Sequence, residues 1–224
     1  MSYPWCVMCV PKIEGKSKGA LLLESAWPVD TVITISFLDG PASLRAKVLA
    51  VSRQWLDRTG ARLSFELRNN TTNTDIRISF QLHGSWSLLG KYARLQTDKS
   101  RPTMNYGWLR EHSTDLEIQE VVLHEFGHAL GLIHEHQNPE SSIPWDRAAV
   151  IRDLSGPPNS WDLETIERNV FKGYDRSEVR STPFDEKSIM LYPVNEKWTI
   201  GNYSTRNNSE LSQKDIELVR EMYS

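Results

Sequence analysis

Eleven residues constrain this chain more than any others: His124-Glu125-Phe126-Gly127-His128-Ala129-Leu130-Gly131-Leu132-Ile133-His134, an H-E-x-x-H-x-x-G-x-x-H pattern. Residues four apart on an α-helix share a face about one turn apart, so His124 and His128 can aim their imidazoles at one ion. Three neutral ring nitrogens suit Zn²⁺, which in reactive sites takes three protein ligands and keeps a position for water. Glu125 sits where a carboxylate on such a helix reaches that water as a general base. His134 cannot join by helix continuation, since six more helical residues would carry it about 9 Å along the axis and round towards the far side. The chain must stop and reverse, and Gly131 can take the left-handed conformation that such a helix end often needs. H-E-x-x-H alone arises by chance on helices. The full pattern fixes three His, one Glu and one Gly, and its chance occurrence in a chain this long is on the order of one in 10⁵.

The rest of the sequence has to house that site. Its 224 residues, 39% hydrophobic and 25% charged, can bury a sizeable core as one domain, with room for two lobes. A net charge of −3 and a pI near 6.1, with acidic and basic residues interspersed, exclude a nucleic-acid footprint and a membrane-surface patch. No apolar run approaches a transmembrane span. The start lacks the basic-then-apolar pattern of a signal peptide, so a native Met1 would place the protein in the cytoplasm. Cys6 and Cys9 are the only cysteines, which rules out the disulfide framework of small secreted domains.

Residues 1–28, with Pro4, Pro11, Gly15, Gly19 and Pro28, read as a leader, and 29–224 as a single domain with an upper lobe over about 29–134 and a lower lobe over about 135–224. Alternation predicts strands at Val32–Leu38, around Leu63, Phe65 and Leu67, and around Ile76, Ile78 and Phe80. Leu44, Val48, Val51 and Trp55 recur at helical spacing and predict a backing helix from Ala42 to Thr59. Gly84–Gly90 and Thr103–Trp108 are further strand candidates. The zinc-motif helix is expected over Asp115–Leu130, with Thr114 or Asp115 as N-cap. Ile143–Leu154 and Leu163–Tyr174 read as helical in part, separated by Gly156-Pro157-Pro158-Asn159. Ser212-Gln213-Lys214-Asp215 is a capping box opening a last helix that buries Ile216, Val219 and Tyr223 and closes the lower lobe. His83, His112 and His136 lack ligand spacing and read as solvated or hydrogen-bonded.

The motif resembles that of the metzincin zinc peptidases, and the residues after it resemble the astacin branch. Ser188-Ile189-Met190-Leu191-Tyr192 is similar to the S-x-M-x-Y Met-turn, and Glu135 and Gly84–Gly90 are also astacin-like. The resemblance implies an α+β, two-lobed zinc peptidase, with a twisted mixed sheet and two helices above the cleft and an irregular lobe below that ends in a helix. It implies one catalytic Zn²⁺ held by His124, His128 and His134, Glu125 as general base, and Tyr192 as a resting-state zinc ligand that swings away to stabilise the oxyanion. Met190 would form an apolar floor under the site. Protein or peptide substrates would lie extended in the cleft along an edge strand, and the protein would act as a monomer. The family is often secreted with two disulfides, which this sequence lacks after Pro11. His136-Gln137-Asn138-Pro139 also departs from the x-x-R-x-D continuation. In that branch the glutamate at Glu135 usually meets the mature N-terminus; the flanking residues differ here, so that contact is not carried over, and a surface carboxylate or local salt-bridge partner is the alternative. Residues near the Met-turn, around Val194 to Trp198, would shape the pocket after the scissile bond. A rival reading is a non-catalytic zinc-containing protein that only binds peptides, for which Glu125 would have no use.

Cys6 and Cys9 admit two main readings: ordinary or mutually oxidised thiols, or a latency device in which one thiolate takes the ion's open position. Under the second, Cys6→Ser with Cys9→Ser raises the initial rate of proteolysis; an unchanged rate removes the idea.

Overall fold

The computed structural model describes residues 24–157, 159–177 and 179–224; Cys6 and Cys9 lie outside them. Five strands form one sheet: β1 (Val32–Phe37), β2 (Ser64–Leu67), β3 (Ile76–Ser79), β4 (Ser85–Ser87) and β5 (Met104–Tyr106). Their order is β2-β1-β3-β5-β4. The first four in that order are mutually parallel, and β4 pairs antiparallel with β5 through Ser85↔Tyr106 and Ser87↔Met104, giving the sheet an edge of opposite direction.

Two long helices cover the sheet. α1 (Ala42–Thr59) buries Leu44, Val48 and Trp55, and Gly60 stops it in the left-handed region at φ 66°. α2 (Asp115–Ala129) starts on Thr114, whose hydroxyl accepts from the Glu117 N–H while the Glu117 carboxylate accepts from the Thr114 N–H. Of the two expected caps, Thr114 wins because a side chain must stand outside the first turn to reach back into it. The Trp55 indole donates to the Leu123 carbonyl at 2.9 Å, and the Phe65 ring lies 5.4 Å from that of Phe126, so helices and sheet share one core.

The lower lobe has less regular structure. α3 (Arg147–Ser155) begins four residues later than its apolar pattern suggests, because Pro144 precedes it and Asp146 caps it by accepting from the Ala149 N–H at 3.0 Å. α4 (Leu163–Ile166) runs on into a wider turn over Glu167–Phe171. Val150, Leu154, Ile166, Val170, Tyr192 and Trp198 form the core of this lobe.

The last helix, α5 (Gln213–Met222), corrects an expectation. Rather than closing the lower lobe, it packs against the upper one: Ile216, Val219 and Tyr223 belong to the main core, and the Arg220 guanidinium donates to the Thr59 carbonyl at 3.0 Å. Trp27 enters the same core. Helix C-termini leave carbonyls without intrahelical partners, and both Trp27 and Tyr223 supply donors to the end of α2. The Trp27 indole donates to the Ala129 carbonyl at 2.7 Å and the Tyr223 phenol to the Leu130 carbonyl at 2.6 Å.

Burial pushes the Tyr223 phenol up to about 12. Its contribution to stability is therefore complete below pH 10 and is lost as pH rises through 12. Tyr223→Phe should cost about 1 kcal/mol in denaturant unfolding at neutral pH, and the gap from the wild type should close between pH 10 and 12.

Candidate metal centre

The reversal expected at Gly131 is present. α2 ends at Ala129, and Gly131 has φ 96°, a conformation that side-chain-bearing residues rarely adopt. The chain turns back and delivers His134 to the other two histidines. Ring centroids stand 4.8 Å apart for His124 and His128, 5.3 Å for His124 and His134, and 4.7 Å for His128 and His134. All three side chains are buried, and one ring nitrogen from each lies within 4.8 Å of the others.

The donor set fits a zinc ion on two grounds. The Nδ1 atoms of His124 and His128 each sit 2.8 Å from a backbone carbonyl, of Ile189 and Leu132 respectively. A carbonyl only accepts, so each Nδ1 carries the proton and each Nε2 keeps its lone pair for a metal. The Nε2 atoms of His128 and His134 are 3.1 Å apart. That is close to the separation of about 3.3 Å expected for two nitrogens at about 2.0–2.1 Å from a tetrahedral ion. Burial holds His124 down at about 4 and His128 at about 3, so the rings are neutral ligands at neutral pH.

Glu125 lies on the cleft side of α2, 1% exposed, in a lining that also contains His124 and Tyr192. The Tyr192 ring, 8% exposed, is 4.6 Å from that of His124 and 4.9 Å from that of His134. The structure therefore brings together His124, His128, His134, Glu125 and Tyr192. His83 and His112 are exposed, whereas His136 stacks on His134 at 5.2 Å and meets the Asn169 carbonyl through Nε2 at 2.8 Å.

The Met-turn holds the site from beneath. Met190 is buried against Gly127, where a Cβ would overlap the thioether sulfur. The carbonyl of Ile189 holds His124, and the carbonyl of Met190 accepts from the Glu135 N–H at 3.0 Å. Asp215 in turn fixes the Met-turn: its carboxylate accepts from the Ser188 hydroxyl at 2.6 Å, and from the Ile189 and Ser212 N–H groups at 2.9 Å each. The capping box marks Asp215 as a cap; its grip on a turn 26 residues earlier has no local signal.

Glu135 is neither a surface carboxylate nor an ion pair among the described residues. It accepts from the Asn138 amide at 2.9 Å and the Asp185 N–H at 2.8 Å, and burial pushes it up to about 8. It faces a cavity of about 240 Å³ behind the Met-turn, separate from the cleft. Val194 and Trp198 are likewise packed into lower-lobe clusters; the cleft wall after the Met-turn is Pro193, Asn207 and Asn208 instead.

A metal-holding helix under a mixed sheet, a glycine reversal and a methionine floor define a metzincin-type zinc metallopeptidase. The family profile described as Astacin, a peptidase family, matches residues 23–224, and the chain belongs to that family. The solved structure of myroilysin shares 35% identity with a TM-score of 0.84, covering 89% of this chain and 96% of that one. High choriolytic enzyme 1, a hatching-enzyme zinc protease of the medaka Oryzias latipes, shares the fold at 15% identity and a TM-score of 0.59, covering 89% of this chain and 94% of that one. Zinc metalloproteinase nas-30 of Caenorhabditis elegans is 24% identical over 222 residues, 93% of this chain. The chain spans only about a quarter of that relative's length, 26%. The three histidines are the group for the family's single zinc ion. Among the described residues no helix is long and apolar enough to cross a membrane.

Gly127→Ala should destabilise the protein by about 1–3 kcal/mol, the usual range for overpacking, and weaken zinc binding. Met190→Ala removes the overlapping sulfur, so the double variant should lose less than the sum of the two single losses in denaturant unfolding.

Proposed function

We propose that this chain is an endopeptidase that hydrolyses peptide bonds in proteins and peptides, with Glu125 as general base and Tyr192 as a movable phenol. The observation that carries the reading is the enclosed Glu125 carboxylate in the cleft lining beside His124 and Tyr192. A protein that merely held peptides would gain nothing from burying a carboxylate there, since burial disfavours its charged form.

A bound Zn²⁺ lowers the pKa of a water and polarises the scissile carbonyl. Glu125 takes the proton from the attacking water and hands it to the leaving amine nitrogen. Tyr192 would help hold the ion through its phenol oxygen in the resting site and, moved aside as substrate enters, would donate to the carbonyl oxygen as negative charge develops on it. His124 and His128, tethered through their Nδ1 protons, keep their orientation throughout. β4 ends the sheet, and such an edge accepts an extended backbone as an added strand with little regard to sequence.

Digestion of casein should stop with a chelator and return with zinc. Glu125→Ala should keep its zinc by metal analysis yet lose about 10²–10⁴-fold in kcat, and a fully active Glu125→Ala would refute the assignment. Tyr192→Phe should lower kcat less, with KM little changed.

A further inference from the structure

The cleft contains one charged side chain that the chemistry above does not use. Glu120 lies on α2 four residues before His124, so the two share a face about 6 Å apart along the axis. The same cleft is lined by Trp108, Val121, Leu191 and Pro193, together with Asn207 and Asn208. Gln119 ties the segment that follows Asn207 and Asn208 to α2 by donating to the Ser209 carbonyl at 2.7 Å.

The electrostatics of this cleft are one-sided. Burial raises the Glu120 pKa, and Glu117, one turn earlier, raises it further. None of the ion pairs among the described residues includes Glu120. Asn208 spends its amide N–H groups on the carbonyls of Glu186 and Ser188, at 2.9 Å each, which leaves its oxygen as the group it can offer. A carboxylate and an amide oxygen in a cleft otherwise walled largely by apolar side chains suit a long side chain with an aliphatic stem and a cationic head.

Resting on the peptidase reading, we propose that Glu120 is a specificity-determining residue, selecting lysine or arginine on the residue whose nitrogen leaves when the bond is cut. Glu125 identifies the side of the bond. It delivers its proton to the leaving nitrogen, so the cleft that Glu120 and Glu125 both line is assigned to that residue's side chain.

The test uses peptides that differ only at the residue after the cut: arginine, lysine, norleucine or aspartate. With zinc-loaded wild type, kcat/KM should favour arginine and lysine over norleucine by about tenfold or more and should disfavour aspartate, and the ratio should shrink as salt is raised. Glu120→Gln should bring the arginine-to-norleucine ratio close to one, and Glu120→Lys should turn the preference towards aspartate. A wild-type ratio near one, a preference for aspartate, or a ratio untouched by Glu120→Gln overturns the proposal. Dissociation constants of the same peptides on the zinc-loaded Glu125→Ala chain, with and without Glu120→Gln, give a second readout that needs no turnover. If no peptide is cut by the wild type, the peptidase reading fails, and the arginine preference in binding alone then decides the role of Glu120.

Discussion

The site depends on how one helix ends. α2 must stop within two residues of His128, and stopping a helix in a protein interior exposes carbonyls that need donors. Trp27, from before the sheet, and Tyr223, the penultimate residue, answer the carbonyls of Ala129 and Leu130. The left-handed Gly131 then sends the chain back, and the Leu132 carbonyl it brings round takes the His128 Nδ1 proton. One turn thus ends the helix, orients the second histidine and delivers the third. Segments 196 residues apart meet there, as the contact from the Trp27 N–H to the Tyr223 phenol shows.

The Met-turn is the second support, and it works mainly through its backbone. The methionine fills the space that Gly127 leaves, while the carbonyls of Ile189 and Met190 fasten the first histidine and the residue after the third. The turn is itself anchored by Asp215, a buried carboxylate whose charge is compensated by one hydroxyl and two N–H groups. The last helix is therefore part of the metal centre's scaffold, although its hold on the imidazoles runs through the turn.

Much of this is legible in the residues, because local rules and tertiary structure agree there. β1, α1, α2 and the capping box at Ser212–Asp215 follow from period, cap and turn chemistry, and Gly131 follows from the geometry of placing three histidines around one ion. The strands within Gly84–Gly90 and Thr103–Trp108 span only three residues each, since Gly90 enters a tight turn and Gly107 leaves no room for a side chain beside the Leu82 carbonyl. Partnerships between distant segments are what a sequence hides. Trp27 reads as part of a leader, Asp215 as a cap alone, and α5 as a cover for the lower lobe. The apolar spacing of α5 shows that it buries a face without saying against what. Pocket walls are hidden for the same reason: Val194 to Trp198 are near the Met-turn in sequence, whereas Asn207 and Asn208 reach the cleft only after a loop returns them to α2.

The two Met-turn carbonyls have one more consequence. Because neighbouring peptide groups hold the first histidine and the chain just past the third, those corners of the cage are stiffly joined and must shift together. A cage of this kind resists stretching one edge to suit a larger ion. Its three nitrogen donors disfavour the hard, oxygen-seeking cations that outnumber zinc in most biological fluids.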